Sequence, residues 1–396
     1  MHYILFDDAV RLQLLPFTHT RPVADIRCGI MTMRERWELL LQSATSTYTA
    51  AYLQEVFPAA SGADAVWING AVFGNPELAA AIRNLQTGQQ LVQGELLIAI
   101  RSTQPGITTE HKAAATAKHD TVSFDGQLQC LRYPWDIFSL NEAAIQADFV
   151  LLTQGRTSQP LPDYVTASGA ANIFLEEGAV IAPCIINATK GPVYIGKDAE
   201  IMEGCLLRGP IAMGAHSVLK MGAKVYGATT IGEGCKAGGE ISNVVFFANS
   251  NKGHDGFLGN AVIGEWCNLG ADTNCSNLKN NYDTVKIWDE QNGRLQSTGL
   301  QFCGLMMGDH SKCGINTMFN TGTVVGVSCN IYGGDFPEKF VPSFSWGGHE
   351  MTTYAFDKAM ETAERMMTRR GRLLSAAERN MYRHLFAASA PQRPNN

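Results

Sequence analysis

Between residues 195 and 237 an aliphatic or small apolar side chain returns at every sixth position. The series is Ile195, Ile201, Leu207, Met213, Leu219, Val225, Ile231 and Ala237. A second series lies four residues behind each, through Ala199, Cys205, Ile211, Ser217, Ala223, Thr229, Cys235 and Ile241, mostly small. A period of six fits neither a helix nor an ordinary strand. It predicts a chain wound into triangular coils with one hexapeptide per side, that is, a parallel β-helix. The register returns at Ile263 and Leu269, and again at Met307, Cys313, Phe319, Val325 and Ile331, so the β-helix is expected over about 165–340. Two stretches fall out of step. Ala237 and Ile263 are 26 residues apart and Leu269 and Met307 are 38, each two more than a multiple of six. Both are expected to be loops thrown out of the wall, where a rigid scaffold usually mounts its chemistry.

Ahead of the coil, residues 1–155 read as an α/β domain. Tyr3–Phe6, Ala65–Ile68 and Leu96–Ile100 are short apolar runs bounded by turn residues, as buried strands are. Helices are expected over Met31–Gln42 and Pro76–Asn84, and a capping box at Ser139–Glu142 predicts a further helix to about Leu152. Gln159-Pro160-Leu161-Pro162 reads as a hinge. Beyond Val341-Pro342 the register ends. Two helices are expected within 350–390, the first stopping at Gly371 and the second opening on Ser375-Ala376-Ala377-Glu378. Met360, Met366, Met367 and Met381 are expected to pack on the end of the coil, whose strand edges would otherwise be open.

Composition narrows the function. Net charge is −6 over 396 residues, from 31 basic and 37 acidic side chains, which argues against a general nucleic-acid or membrane-surface binder. Ten cysteines without a CxxC pair point away from zinc, and Cys205, Cys235, Cys267 and Cys329 fall at the small position of the hexapeptide. So many free thiols suggest a reducing cytoplasm. No signal peptide is visible, and no apolar run approaches the roughly 18–20 residues that span a membrane.

Among nine histidines, His216 and His310 fall at an outward turn place of the hexapeptide and are expected to be solvated. His254 lies in the first interruption between Gly253 and Gly256, where backbone can approach a ligand closely; it reads as either catalytic or structural. Glu240 is the acid that could accept a hydrogen bond from it.

Lys252-Gly253-His254, Phe257-Leu258-Gly259, Ile263-Gly264 through Ala271, and Asn277 together resemble the acetyltransferase half of the bifunctional UDP-N-acetylglucosamine pyrophosphorylase/glucosamine-1-phosphate N-acetyltransferases. The resemblance implies a left-handed β-helix, a homotrimer, and acetyl-CoA bound between coils. It makes His254 the general base for attack of a sugar amine on the thioester and Glu240 the acid that polarises it. Asn268 and Asn277 become substrate contacts, and Phe257 stands at a tyrosine position. Ser242 and Leu278 depart from the family's lysine and tyrosine. Lys224, Lys252 and Lys279 remain as phosphate contacts or as ordinary solvated lysines.

Residues 15–22 and 133–141 resemble segments of sugar-nucleotide pyrophosphorylases, which implies uridylyl transfer from UTP with Mg2+. Yet Asp7-Asp8-Ala9-Val10-Arg11 stands where that family has its glycine-rich phosphate loop, and Asn69-Gly70-Ala71 where it has a metal-binding aspartate. Arg11, Arg21 and Arg27 could hold a diphosphate or form ion pairs, and Asp25 and Asp136 are the remaining metal candidates. The combined expectation is a nucleotidyltransferase-like (Rossmann-like) α/β domain, a left-handed hexapeptide β-helix and C-terminal helices, acetylating glucosamine 1-phosphate or a related amino-sugar phosphate. Two alternatives stand: a nucleotidyltransferase with a trimerising coil, and a silent sugar-nucleotide-binding protein.

Overall fold

The computed structural model describes residues 1–59, 64–103 and 119–393. Its contacts divide into two compact units. One comprises Met1–Ile26, Met31–Tyr133 and Ala376–Met381; the other comprises Arg27–Ile30, Pro134–Ser375 and the chain from Tyr382 onward.

The first unit is built on a six-stranded sheet. Its strands are β1 (His2–Phe6), β2 (Thr45–Tyr48), β3 (Ala65–Asn69), β4 (Gln89–Gln93), β5 (Leu96–Ser102) and β6 (Asp120–Ser123), in the order β2-β1-β3-β5-β4-β6. β1 runs parallel to both β2 and β3, while β5 is antiparallel to β3 and β4. After a short helix α1 (Val10–Gln13), helices α2 (Met33–Leu41) and α3 (Pro76–Arg83) supply Trp37, Leu41, Leu78 and Ile82 to the core beside Leu5, Val66 and Ile68. The three expected strands and both expected helices are present. α2 opens on a capping box from Thr32 and Glu35, and α3 on the Asn75 side chain with Pro76 behind it.

The second unit is a parallel β-helix. Three short strands per coil stack on their equivalents in the next, as Glu200–Ile201 pairs with Val218–Leu219, and that pair with Lys236–Ala237. Both hexapeptide series point inward; every member from Ala199 to Ile241 is 3% exposed or less. The ten cysteines are free, and all but Cys130 are buried. One corner of the coil carries a left-handed residue in turn after turn: Asp198, His216, Gly234, Asn249, Trp266, His310, Ser328 and Phe344. In each case the corner amide donates to a carbonyl one coil back, as His216 does to Lys197. That repeated bond offsets the cost of φ near +57° for a residue with a Cβ.

Four sequence expectations change. The helix at 141 has no side-chain cap, so the expected capping box does not form; a short helix α4 (Asp136–Ser139) precedes α5 (Asn141–Thr153). Asn141 is instead buried, accepting from Gly29 N (2.7 Å) and donating to Ala228 O (2.8 Å). α5 packs Ile145, Phe149 and Leu152 on Phe174, Tyr194 and Ala212 of the coil, so the compact units divide near Tyr133 and not near 155. The coil also runs one side further than expected, because Ser345–Gly347 still pairs with Asn330–Ile331. Finally, His310 is not solvated. It is 3% exposed, stacked on Trp266 and met edge-on by Tyr382. Helices α6 (Phe356–Thr368) and α7 (Ala376–Ala388) close this end, where Phe344, Phe356 and Phe386 form an aromatic cluster. Among the described residues, no helix is long and apolar enough to cross a membrane.

Candidate active site

The first interruption is not an extruded loop. Eighteen residues separate the paired positions Leu219 and Ala237, but only fifteen separate Ala237 from its partner Lys252. The coil is short by half a side, and His254 lies on its corner, in the bend between Asn251–Lys252 and Phe257–Ile263. The second interruption does leave the wall. It carries the hairpin Lys286–Asp289/Arg294–Ser297.

His254 is exposed and lines an open cavity of about 700 Å3 together with Lys220, Gly239, Gly253, Asp255 and Asp272. Among the described residues its ring has no hydrogen-bond partner. Gly239 sits directly behind the bend at φ +78°, and a Cβ there would come within 2.9 Å of His254 O and 2.7 Å of Gly256 O. Glycine is required on both counts.

Glu240 lies elsewhere. It pairs in register with Lys224 and Phe257, and its carboxylate accepts from the Tyr226 hydroxyl at 2.7 Å, with Lys224 Nζ at 3.9 Å. This hydrogen bond pushes the Tyr226 phenol upward. Glu240, Lys224 and Tyr226 line a second groove of about 460 Å3 that His254 does not touch. The carboxylates sharing the His254 cavity are those of Asp255 and Asp272.

Lys252 does not face solvent. It is 1% exposed, and its Nζ donates to the carbonyls of Gly238 (3.3 Å), His254 (2.9 Å) and Asp255 (3.2 Å). Burial pulls its pKa down to about 8. A phosphate contact from Lys252 is therefore excluded, since all three ammonium donors are taken. Lys220, which the sequence reading passed over, is the lysine in the cavity. Its signal was available: it follows the inward Leu219 at a corner that the next coil fills with Gly238.

Asn268 accepts from Asn251 Nδ2 (2.9 Å) and Asn277 donates to Asn260 (2.8 Å). The Phe257 ring packs over Gly259, and Lys279 donates to Thr284 O at 2.6 Å. None of these four lines the His254 cavity.

In the first unit, a buried network gathers at the carboxyl ends of β1 and β3. Arg11 donates to Thr18 O at 2.9 Å and to the Tyr52 hydroxyl, and lies 3.6 Å from Asp7. Asp7 also accepts from Val23 N and the Thr49 hydroxyl; burial pushes its pKa up to about 6. Asn69 donates to Asp8 and to Leu97 O, while Gly70 lies against Ala24. Arg21 is buried. Asp25 grips Arg34 through two bonds of 2.7 Å, which removes it as a metal ligand. Arg27 and Asp136 belong to the second unit, where Arg27 donates to Ile30 O and Asp136 sits in the first turn of α4. Among the described residues no group of three or more His, Cys, Asp or Glu is placed to hold a metal.

The chain therefore combines a mixed α/β sheet with a hexapeptide coil. Residues 3–157 match the family model described as sugar nucleotidyl transferase. Over 215 residues the chain is 27% identical to a bifunctional sugar-1-phosphate nucleotidylyltransferase/acetyltransferase of Sulfurisphaera tokodaii, covering 54% of this chain and 47% of that protein. It is 32% identical over 90 residues to the bifunctional protein GlmU of Methanocaldococcus jannaschii, covering 23% and 21%. The chain thus spans about half the length of the first relative and less of the second. A UDP-N-acetylglucosamine acyltransferase from Bacteroides fragilis aligns over 60% of this chain and 92% of its own, at 14% identity and a TM-score of 0.27.

Proposed function

We propose that the coil transfers an acetyl group from acetyl-CoA to the amine of an amino-sugar phosphate, glucosamine 1-phosphate being the first choice, with His254 as general base. The observation that carries this is an exposed imidazole on a rigid corner, backed by glycine and opening on a cavity with a lysine across it. The amine nitrogen attacks the thioester carbonyl, His254 takes the amine proton, the C–S bond breaks, and CoA leaves as thiol or thiolate. General base catalysis of this kind contributes ~10²–10⁴ in rate. Lys220 takes the part of phosphate contact that Lys252 cannot play, and Asp255 or Asp272, which line the same cavity, replaces Glu240 as the acid partner of the ring. His254→Ala is expected to lower acetylation of glucosamine 1-phosphate by ~10²-fold or more, read as release of free CoA, with the melting temperature unchanged. Acetylation retained within a few-fold would remove His254 from the mechanism.

A second reading, favoured by the family match over residues 3–157, adds uridylyl transfer from UTP to the acetylated product, giving UDP-N-acetylglucosamine. Its site would lie at the carboxyl ends of β1 and β3, where ligands gather in α/β sheets. Arg11, however, is occupied by protein partners there. A cytoplasmic homotrimer is part of the same proposal.

A further inference from the structure

We infer that Lys252 is a positioning residue for His254: its ammonium, threaded out of the coil interior, ties together the carbonyls of Gly238, His254 and Asp255 and so fixes the bend that presents the imidazole.

The place of this lysine in the fold is the first argument. Its paired position in the coil before is Ala237, and before that Leu219 and Ile201, all of them inward residues of the apolar series. A lysine there puts a charge where the three coils before it put a hydrocarbon. An unpaired ammonium in such surroundings would be costly, so the side chain persists only because its head is fully bonded. The second argument is what it bonds to. Two of the three acceptors are the carbonyls of His254 and Asp255 themselves, and the third belongs to Gly238, on the adjacent coil. The coil is three residues shorter than the one before it, so this bend departs from the corner geometry used there. The lysine stem is long enough to reach the bend from the inward position, where leucine or alanine would offer its carbonyls no donor. The clamp thus acts on the backbone that carries the base and touches no substrate.

This inference rests on the proposed role of His254, and the test separates the two. In Lys252→Met the stem is kept and the charge removed. Removing the ammonium leaves the carbonyls of Gly238, His254 and Asp255 without their donor, so the melting temperature is expected to fall by a few degrees while the variant still folds. Amide hydrogen exchange across residues 253–257 is expected to accelerate by ~10-fold or more, the signature of a locally loosened segment. For acetyl transfer, kcat should fall ~10-fold or more while KM stays within ~2-fold, because geometry and not affinity is lost. Unchanged exchange at 253–257 in a folded variant overturns the clamp. Faster exchange, in a protein whose unaltered form acetylates no amino-sugar phosphate, leaves the clamp standing and sinks the assignment of function. Should the variant not fold, the unaltered protein still decides. Acetylation by an amine-reactive ester, mapped by peptide mass spectrometry, is expected to label Lys252 ~10-fold or more slower than Lys220 and Lys224. Equal labelling means that the ammonium is not held inside, and the clamp is wrong.

Discussion

Asp7 is a carboxyl group almost out of reach of water, 1% exposed. Burial raises its pKa to about 6, and the Thr49 hydroxyl, the Val23 amide and Arg11 only partly oppose that. The folded state therefore holds this proton more tightly than the unfolded chain, where an aspartate titrates near 3.8. Its contribution favours folding at low pH and is lost as pH rises from about 4 through about 6. The full difference is on the order of 2–3 kcal/mol. Asp7→Asn keeps an acceptor for Val23 N and removes the titration. Thermal unfolding between pH 4 and 7 should show the variant gaining on the natural protein as pH rises. Parallel curves would mean that Asp7 titrates like an ordinary surface carboxylate.

At the scale of the coil, what was legible in the sequence is the part where every hexapeptide does the same job. The period from Ile195 to Ile241 depends only on which side chains face inward, and those positions are buried without exception. Legibility stopped at Ala237 for a physical reason. The inward position stacked on Ala237 is occupied by Lys252, whose head finds its partners among the carbonyls of the adjacent bend, so hydropathy gave no sign that the wall continues there. The glycines that flank His254 mark the bend, but the interruption that reads as a loop is a shortened coil, and Glu240 is not its partner. The strand register instead turns Glu240 toward Tyr226. His310 shows the complementary failure: an outward place in the hexapeptide is solvated only if nothing covers it, and here Tyr382 does. The same stacking makes two glycines unequal. Gly222 is left-handed at φ +69° with open space around it, so Gly222→Ala should cost only ~1–2 kcal/mol of backbone strain. A Cβ on Gly232 would lie 1.3 Å from Phe247 O, which forces adjacent coils apart. Gly232→Ala is expected to lower the melting temperature far more than Gly222→Ala, or to prevent folding; similar losses would show that the coils tolerate displacement.

For the molecule as a whole, the outer wall of the coil poses the question of what covers it. Ile185, Leu206 and Tyr226 come from successive coils, are 49%, 47% and 37% exposed, and line the same groove of about 460 Å3. Ile185 and Leu206 are direct partners in register, and the next member of that row is Lys224, beside Glu240. An apolar ladder ending in a charge pair is what a contact between subunits asks for, with hydrocarbon to bury at the centre and charges at the rim. Such a row repeated at each β-strand spacing suits association of identical prisms side by side, and closed symmetry then buries it on every copy. The expected mass in solution is three times the 43.0 kDa chain, measured by light scattering on a sizing column. Leu206→Glu would set a carboxylate in the row without disturbing the interior, since this side chain points outward. It is expected to yield the 43.0 kDa species with unchanged secondary structure by circular dichroism. A variant that keeps the mass of the natural protein would mean that the row is not the contact, and a natural protein already at 43.0 kDa would mean that the coil works alone.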